Sequence, residues 1–308
     1  MEENIQMKQK AAFATLIGRP SVGKSTLINR LCGEKVSIVS PSPQTTRNAI
    51  RGIVNRPEGQ IVFIDTPGRH ISEKKFNRKL LEVSRRSMDD TDVVVYLLDA
   101  VRAPGVEESA VADCLKHFSE KLVVAINKMD IQSDVAKTID FLQERFPTLA
   151  KDRIFKISAA QNDGLVPLLK KIFDLSPIES PFYPTDCYTD QDVQFRIAEI
   201  IREKAVNRLR QELPHCIYVE IADAEFRDAE TEHKKLWVRA FIIAERESQK
   251  SMIIGKGGQM VKSIRLAALK DLQDIFDWKI ELDLRVKASC DWRHNDALLN
   301  RLTHPSGT

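Results

Sequence analysis

Eight consecutive residues, Gly18, Arg19, Pro20, Ser21, Val22, Gly23, Lys24 and Ser25, carry the spacing of a phosphate cradle, and Thr26 follows them. They fit G-x-x-x-x-G-K-[ST]. In that pattern the backbone N–H groups of a glycine-rich turn surround phosphate oxygens, the lysine reaches the terminal phosphates, and the hydroxyl goes to Mg²⁺. Such a turn works only between a strand and a helix, because the helix N-terminus adds its positive end to the anion site. The apolar run 11–17 and the pattern Thr26-Leu27-Ile28-Asn29-Arg30-Leu31 supply both. A glycine turn that merely happens to carry Lys and Ser is the competing reading, and the flanks argue against it.

Three further groups suit the same chemistry. Asp65-Thr66-Pro67-Gly68 follows the apolar run 60–64. A carboxylate at a strand end can hold Mg²⁺ through water, and Gly68 lets a backbone N–H approach a γ-phosphate. Asn127-Lys128-Met129-Asp130 follows the run 121–126, and a carboxylate at Asp130 can accept the ring N1–H and the exocyclic amino group of guanine. Adenine offers neither donor, so its binding would leave that acceptor unpaired. Ser158-Ala159-Ala160 follows the run 153–157 and is placed where a backbone N–H reaches the base oxygen. In the breaker-rich segment 41–47, one threonine, assigned here to Thr46, would ligate Mg²⁺ and sense the γ-phosphate, ordering its loop only with a triphosphate. Taken singly, D-T-P-G and Thr-Thr are ordinary turn sequences. In this order, each after a strand, they are far more specific.

The elements that must position these residues are legible as short apolar runs alternating with helical patterns between residues 11 and 174. Strands are expected near 11–17, 49–54, 60–64, 92–98, 121–126 and 153–157. Helices are expected after the phosphate loop and near 71–88, 107–118, 135–145 and 165–173. Alternation of this kind implies an α/β fold with a mostly parallel sheet covered on both faces, and ligands in such sheets sit at the carboxyl ends of the strands.

Composition sets outer bounds. The chain has 308 residues, enough for two domains, with 43% apolar and 30% charged residues. No run approaches the 18 apolar residues of a membrane span, and the polar start MEENIQMKQK has no signal-type apolar stretch, so a cytoplasmic protein is expected. Five scattered cysteines without a C-x-x-C pair suggest neither a disulfide framework nor a zinc site. The 47 Lys/Arg and 44 Asp/Glu nearly cancel. Their distribution is uneven, however: the stretch 250–270 has five basic residues and no acid, and 69–86 has seven Lys/Arg against two Glu. These read as local anion-binding faces, with solvated helix faces as the alternative.

Residues 176–190 contain Pro177, Pro181 and Pro184 and read as a semi-extended linker. This divides the chain into a tail (1–10), an α/β domain (11–175), the linker (176–190) and a second domain with a C-terminal tail (191–308). In the second domain, helical spacing from Val193 continues toward Leu213-Pro214, followed by strands near 216–221 and 236–244. The acidic stretch 220–232 between them reads as a solvated hairpin loop. Ser251 to Gly258, a helix near 259–276 and a strand near 279–286 complete the order α-β-β-α-α-β. Ile254-Gly255-Lys256-Gly257-Gly258 then resembles the GXXG loop of a KH domain, where small residues let the backbone approach phosphates of a single strand. Lys256 and Lys262 would add charge.

A Ras-like GTPase domain, a proline-rich linker and a type II KH domain together resemble the Era family of bacterial GTPases over nearly the whole chain. Besides GRPSVGKS, QTTR, DTPG and NKMD, Tyr188-Thr189-Asp190, Glu199 to Lys204, Glu212-Leu213-Pro214 and the GKGG loop look like that family. The resemblance implies Mg²⁺-dependent hydrolysis of GTP to GDP, in which Lys24, Thr46 and Gly68 take part in the chemistry and Ser25, Thr46 and Asp65 hold the metal. It also implies binding of the 3′ region of 16S ribosomal RNA, assistance to assembly of the small (30S) subunit, and some association with the inner face of the membrane. A monomer is expected. Many relatives have Asn where this chain has Ser21, and that Asn is associated with a potassium ion, so K⁺ activation stays open. Arg69, after Asp-Thr-Pro-Gly, reads as surface basicity, with stabilisation of transition-state charge as the alternative. A kinase is disfavoured by the lack of His-Arg-Asp and Asp-Phe-Gly motifs. The competing function is a GTPase switch acting on protein or membrane partners, with the KH-like half as a scaffold.

Overall fold

A computed structural model describes residues 9–40, 50–65, 90–131, 135–209, 213–227 and 234–290. The described residues form two compact units, 9–37 with 50–190 and 38–40 with 191–290. Thr46, Thr66, Pro67, Gly68, Arg69 and the helix expected over 71–88 lie outside the described residues.

The first unit is built on a six-stranded sheet in the order β2-β3-β1-β4-β5-β6. Its strands are β1 Lys10–Ile17, β2 Ile50–Arg56, β3 Gly59–Asp65, β4 Val93–Asp99, β5 Leu122–Asn127 and β6 Ile154–Lys156. All neighbours are parallel except β2, which runs antiparallel to β3. Its helices are α1 Lys24–Cys32, α2 Val106–Leu115, α3 Ala136–Arg145 and α4 Leu165–Leu175. The near-continuous apolar strands have a direct cause, because alternate residues are buried on opposite faces. Leu16, Phe63, Val95, Leu97 and Ala125 pack with Leu27 and Ile28 of α1 and Leu168 and Ile172 of α4. On the other face Val94, Tyr96, Leu98, Val124 and Ile126 pack with Val111 and Leu115 of α2 and Leu142 of α3. The phosphate loop, Asp65, Asn127 and Ser158 therefore emerge at one edge of the sheet, beyond the carboxyl ends of β1, β3, β5 and β6.

The proline-rich segment has neither helix nor strand, and it is firmly attached to the first unit. Ile178 makes a bridge with Lys10, and the Ile53 N–H donates to Tyr188 O at 2.9 Å. Thr189 Oγ1 donates to Arg51 O at 2.8 Å, and Asp190 pairs with Arg51 at 2.7 Å. The fully buried Gln60 is the centre of this attachment. Its Oε1 accepts from the N–H groups of Phe182 and Tyr183, both at 2.9 Å, while Nε2 donates to Tyr183 O at 2.9 Å and Asn55 Oδ1 at 2.8 Å. Phe182 stacks on Phe13 with ring centroids 4.6 Å apart. Prolines that exclude helix thus leave backbone groups for the sheet edge to bind.

The second unit has α5 Val193–Val206, β7 Ile217–Arg227, β8 Lys235–Ala244, α6 Glu247–Ile254, α7 Gln259–Ile275 and β9 Lys279–Ala288. Asp192 caps α5 by accepting from the N–H groups of Gln194 (2.7 Å) and Phe195 (3.2 Å). The sheet order is β7-β8-β9, with β7 antiparallel and β9 parallel to β8. One sheet face, including Val219, Val238, Ala240, Ile242 and Leu282, packs on Ile197, Ile201, Ile264 and Leu272. Two expectations need correction. Helix α5 stops at Val206 rather than continuing toward Leu213. The first part of the acidic stretch is strand: Asp223, Glu225 and Arg227 pair with Arg239, Trp237 and Lys235, so ladder bonds and cross-strand partners outweigh the polar composition.

Substitution of Gln60 by Leu tests the attachment of the proline-rich segment. It strips the acceptor from two backbone N–H groups, which should cost about 2–4 kcal/mol in urea denaturation and accelerate proteolytic cleavage near Tyr183.

Candidate functional site

Residues 18–23 form the turn between β1 and α1, and Lys24 and Ser25 open the helix. Ser21 takes a left-handed backbone (φ 63), as does Gly23 (φ 102). A Cβ at Gly23 would lie 2.4 Å from Asn127 Nδ2, so only glycine lets the phosphate loop approach the loop after β5. Lys24 is buried at the start of α1, and its Nζ donates to the carbonyls of Gly18 and Arg19, both at 3.0 Å. Burial lowers its pKa to about 8, against the pull of Asp65 and Glu108. The lysine is therefore held in place by the loop that it serves.

Asp65, fully buried at the end of β3, accepts at Oδ2 from Ser25 Oγ (2.8 Å) and Ser37 Oγ (2.7 Å). This places two of the expected metal residues together, and Thr46, the third, lies outside the described residues. A hydroxyl and a carboxylate suit Mg²⁺, a hard cation that takes oxygen ligands and is completed by water and phosphate oxygens.

Asn127, buried at the end of β5, joins three loops. Its Nδ2 donates to Val22 O at 2.8 Å, its Oδ1 accepts from Ala159 N–H at 2.9 Å, and its carbonyl accepts from Ala100 N–H at 3.0 Å. Lys128, with a left-handed backbone (φ 68), reaches Asp99 at 2.8 Å. The Met129 side chain packs against the core cluster beneath α2 and α3. Asp130 is exposed and receives a 2.5 Å hydrogen bond from Ser158 Oγ, so its carboxylate is oriented yet accessible to a base. The Ser158 N–H donates to Asp163 O at 3.0 Å, and Ala159 N–H is taken by Asn127. For these two residues, the acceptor expected to be the base oxygen is thus supplied by the protein.

Sequence reasoning missed Glu108, Tyr96, Ser37 and Asn29. Glu108 is fully buried on α2, its Oε2 lies against Arg19 Nε, and its Oε1 accepts from Tyr96 Oη at 2.6 Å. Burial pushes the Glu108 carboxyl up, opposed by the Tyr96 hydroxyl and the Arg19 guanidinium. Arg19 thus points into the protein and braces the phosphate loop. A signal existed: Glu108 shares the buried helical stripe with Val111, Ala112 and Leu115. Ser37 carried no comparable signal.

In the second unit, α6 ends at Ile254 and α7 begins at Gln259, with a single tight turn over Lys256–Gly258 between them. Gly257 has φ 59 and is exposed, and a Cβ added there would meet nothing within 4 Å. Lys256 and Lys262 are also exposed. The turn is a bare stretch of backbone with cations beside it, fit for approach by phosphates.

A mostly parallel sheet with a phosphate-loop sequence, the buried Asp65 and the exposed Asp130 at its strand ends, followed by an α-β-β-α-α-β unit with a GKGG turn, defines a P-loop GTPase carrying a KH module. The family models that match are described as 50S ribosome-binding GTPase over residues 13–128 and KH domain over residues 212–293. GTPase Era of Treponema denticola is 47% identical over 96% of this chain and 99% of its own length, and GTPase Era of Borreliella burgdorferi is 42% identical over 95% and 99%. The crystal structures of a point variant of Aquifex aeolicus Era bound to GDP·AlF₄⁻ and of Era in complex with MgGDPNP and nucleotides 1506–1542 of 16S ribosomal RNA each match at a TM-score of 0.89 and 34% identity, covering 95% of this chain and 98% of theirs. The chain belongs to the Era family of GTPases.

The lowered pKa of Lys24 predicts a pH dependence. Bound phosphates raise it again, so above about pH 8 binding must take up a proton. Affinity for a fluorescent GDP analogue should fall by about tenfold between about pH 7 and about pH 9. The nucleotide-free fold has the opposite trend: because its Lys24 pKa lies below the ordinary 10.5, its stability rises as pH goes from about 8 toward 10.5.

Proposed function

We propose that the chain uses GTP binding and hydrolysis to control how its KH unit holds the single-stranded 3′ region of 16S ribosomal RNA during assembly of the 30S subunit. The observation that carries this reading is the combination of an oriented, exposed Asp130 carboxylate in one unit with the open Gly257 turn in the other. The match along nearly the full length of a solved complex of Era with MgGDPNP and 16S RNA nucleotides supports it.

The phosphate-loop N–H groups and the α1 N-terminus cradle the phosphates, and Lys24 turns from the Gly18 and Arg19 carbonyls to the terminal phosphates. Ser25, Asp65 and Thr46 would hold Mg²⁺. The ion supplies charge that offsets the negative charge developing on the phosphate oxygens. Gly68 offers its N–H to the γ-phosphate, and loss of that phosphate releases the segments bearing Thr46 and Gly68. Asp130 accepts from guanine N1 and its amino group, as Ser158 and the Asn127 knot hold the loop in place. On the RNA side, the GKGG backbone meets phosphates, Lys256 and Lys262 add charge, and Ile254 supports a base. The basic stretch 69–86 is a candidate RNA contact in one nucleotide state.

The deciding experiment is equilibrium binding of a short RNA copying the 3′ end of 16S ribosomal RNA, with GDP and with a non-hydrolysable GTP analogue. Tighter binding with the analogue, lost when the RNA is scrambled and weakened steeply by salt, is expected. Binding in neither state overturns the RNA assignment and favours a protein or membrane target. Two variants separate the units. Gly257→Asp, at a position whose left-handed backbone Asp tolerates, should lower RNA affinity about tenfold or more and leave GTP binding unchanged. Asp130→Asn should weaken GTP binding by about a hundredfold and shift preference toward xanthine nucleotides, read by competition against fluorescent GDP.

A further inference from the structure

Asp65 does not stand alone at the end of β3. Its Oδ2 accepts two hydroxyl protons, one from Ser25 Oγ at 2.8 Å and one from Ser37 Oγ at 2.7 Å. Ser25 is the hydroxyl of the phosphate-loop pattern, whereas Ser37 belongs to no motif. Both Ser37 and Asp65 are buried, at 1% and 0% exposure, so neither group can exchange its partner for water without opening the site. Ser37 is in turn clamped by Asn29. The Asn29 Oδ1 accepts from the N–H groups of Val36 (2.9 Å) and Ser37 (2.8 Å), and its Nδ2 donates to Ser37 O at 2.7 Å. Asn29 and Ser25 are one helical turn apart on α1, hence on the same face. One helix face thus reaches the carboxylate twice, directly through Ser25 and indirectly through Asn29 and Ser37.

We infer that Ser37, held by Asn29, is a positioning residue that fixes the Asp65 carboxylate for Mg²⁺ bound with guanine nucleotide. The physical need is specific. A serine hydroxyl that gives its lone pair to a metal still has one proton to donate, and a carboxylate that loses one of its donors rotates more freely about its Cβ–Cγ bond. A second donor, arriving from a backbone that cannot shift, fixes the plane of the carboxylate before the metal arrives. Groups that orient a metal-binding side chain in this manner commonly alter metal affinity by about 10–100-fold when removed. In the sequence, Ser37 also lies only a few residues before the segment 41–47, where Thr46 is assigned to the same metal.

The inference rests on the Mg²⁺ and guanine-nucleotide reading above, and the parent protein tests that reading separately: if its own release of fluorescent GDP is not slowed by Mg²⁺, that reading fails first. The test is the rate of fluorescent GDP release from the full chain as a function of free Mg²⁺, for the parent, Ser37→Ala, Ser37→Cys and Asn29→Ala. In Ser37→Ala the Mg²⁺ concentration giving half-maximal slowing should rise about tenfold, with release at saturating Mg²⁺ within about twofold of the parent. Ser37→Cys keeps a side chain of similar size with a weak donor and should shift the same way if Ser37→Ala does not fold. Asn29→Ala, which keeps the hydroxyl and frees the backbone, should give a smaller shift. An unchanged Mg²⁺ half-point in the Ser37 variants overturns the inference. So does faster release by the same factor at every Mg²⁺ concentration, which would assign Ser37 to packing alone.

Discussion

The amide of Asn127 is the interaction on which the rest of the nucleotide site depends. A single buried side chain donates to Val22 O in the phosphate loop and accepts from Ala159 N–H in the loop after β6. A carboxamide carries a donor and an acceptor on one planar head, so it can join two backbone segments at once. In the proposed function phosphate and base fall to different loops, whose spacing must match the length of a nucleotide. This knot sets that spacing, and the absence of a side chain at Gly23 is the condition that lets it form.

Charge is managed around that knot by burial in pairs. Lys24, Asp65, Arg19, Glu108 and Asp99 are all buried near the strand ends. Each has a partner on another element: Lys24 on the loop carbonyls, Asp65 on two hydroxyls, Arg19 on Glu108, Asp99 on Lys128. In a medium of low effective dielectric a pair gives up solvation in exchange for fixed geometry, and removal of one member leaves an uncompensated charge. Such a site is stiff before ligand arrives. Much of the surrounding frame is thus set in advance, and the Lys24 ammonium is the group that must exchange its loop carbonyls for phosphate oxygens.

The exposed turn of the second unit is built in the opposite way. Its GKGG turn has no buried charge network; it offers open backbone and solvated lysines. That suits a flexible single strand, whose phosphates can follow a bare backbone without a preformed pocket. The near-neutral charge of this half therefore says little about the turn itself, in which the absence of side chains matters as much as the presence of Lys256.

How far this was legible in the sequence depends on distance along the chain. The phosphate-loop turn, the placement of Asn127 to Asp130 after β5 and the GKGG turn were readable because each needs residue types fixed within a few contiguous positions. The alternation of apolar runs likewise implied the parallel sheet and the strand ends at which they sit. The acidic stretch misled, because Asp223 and Glu225 are held in β7 by pairing with β8, which composition does not encode. Ser37 beside Asp65, Glu108 beneath Arg19, and Gln60 under the proline-rich segment were decided by tertiary structure alone. Each joins groups dozens of residues apart, whose meeting depends on strand register and helix rotation. Local sequence specifies which groups can bond, and only the packed sheet and helices decide which of them come within reach.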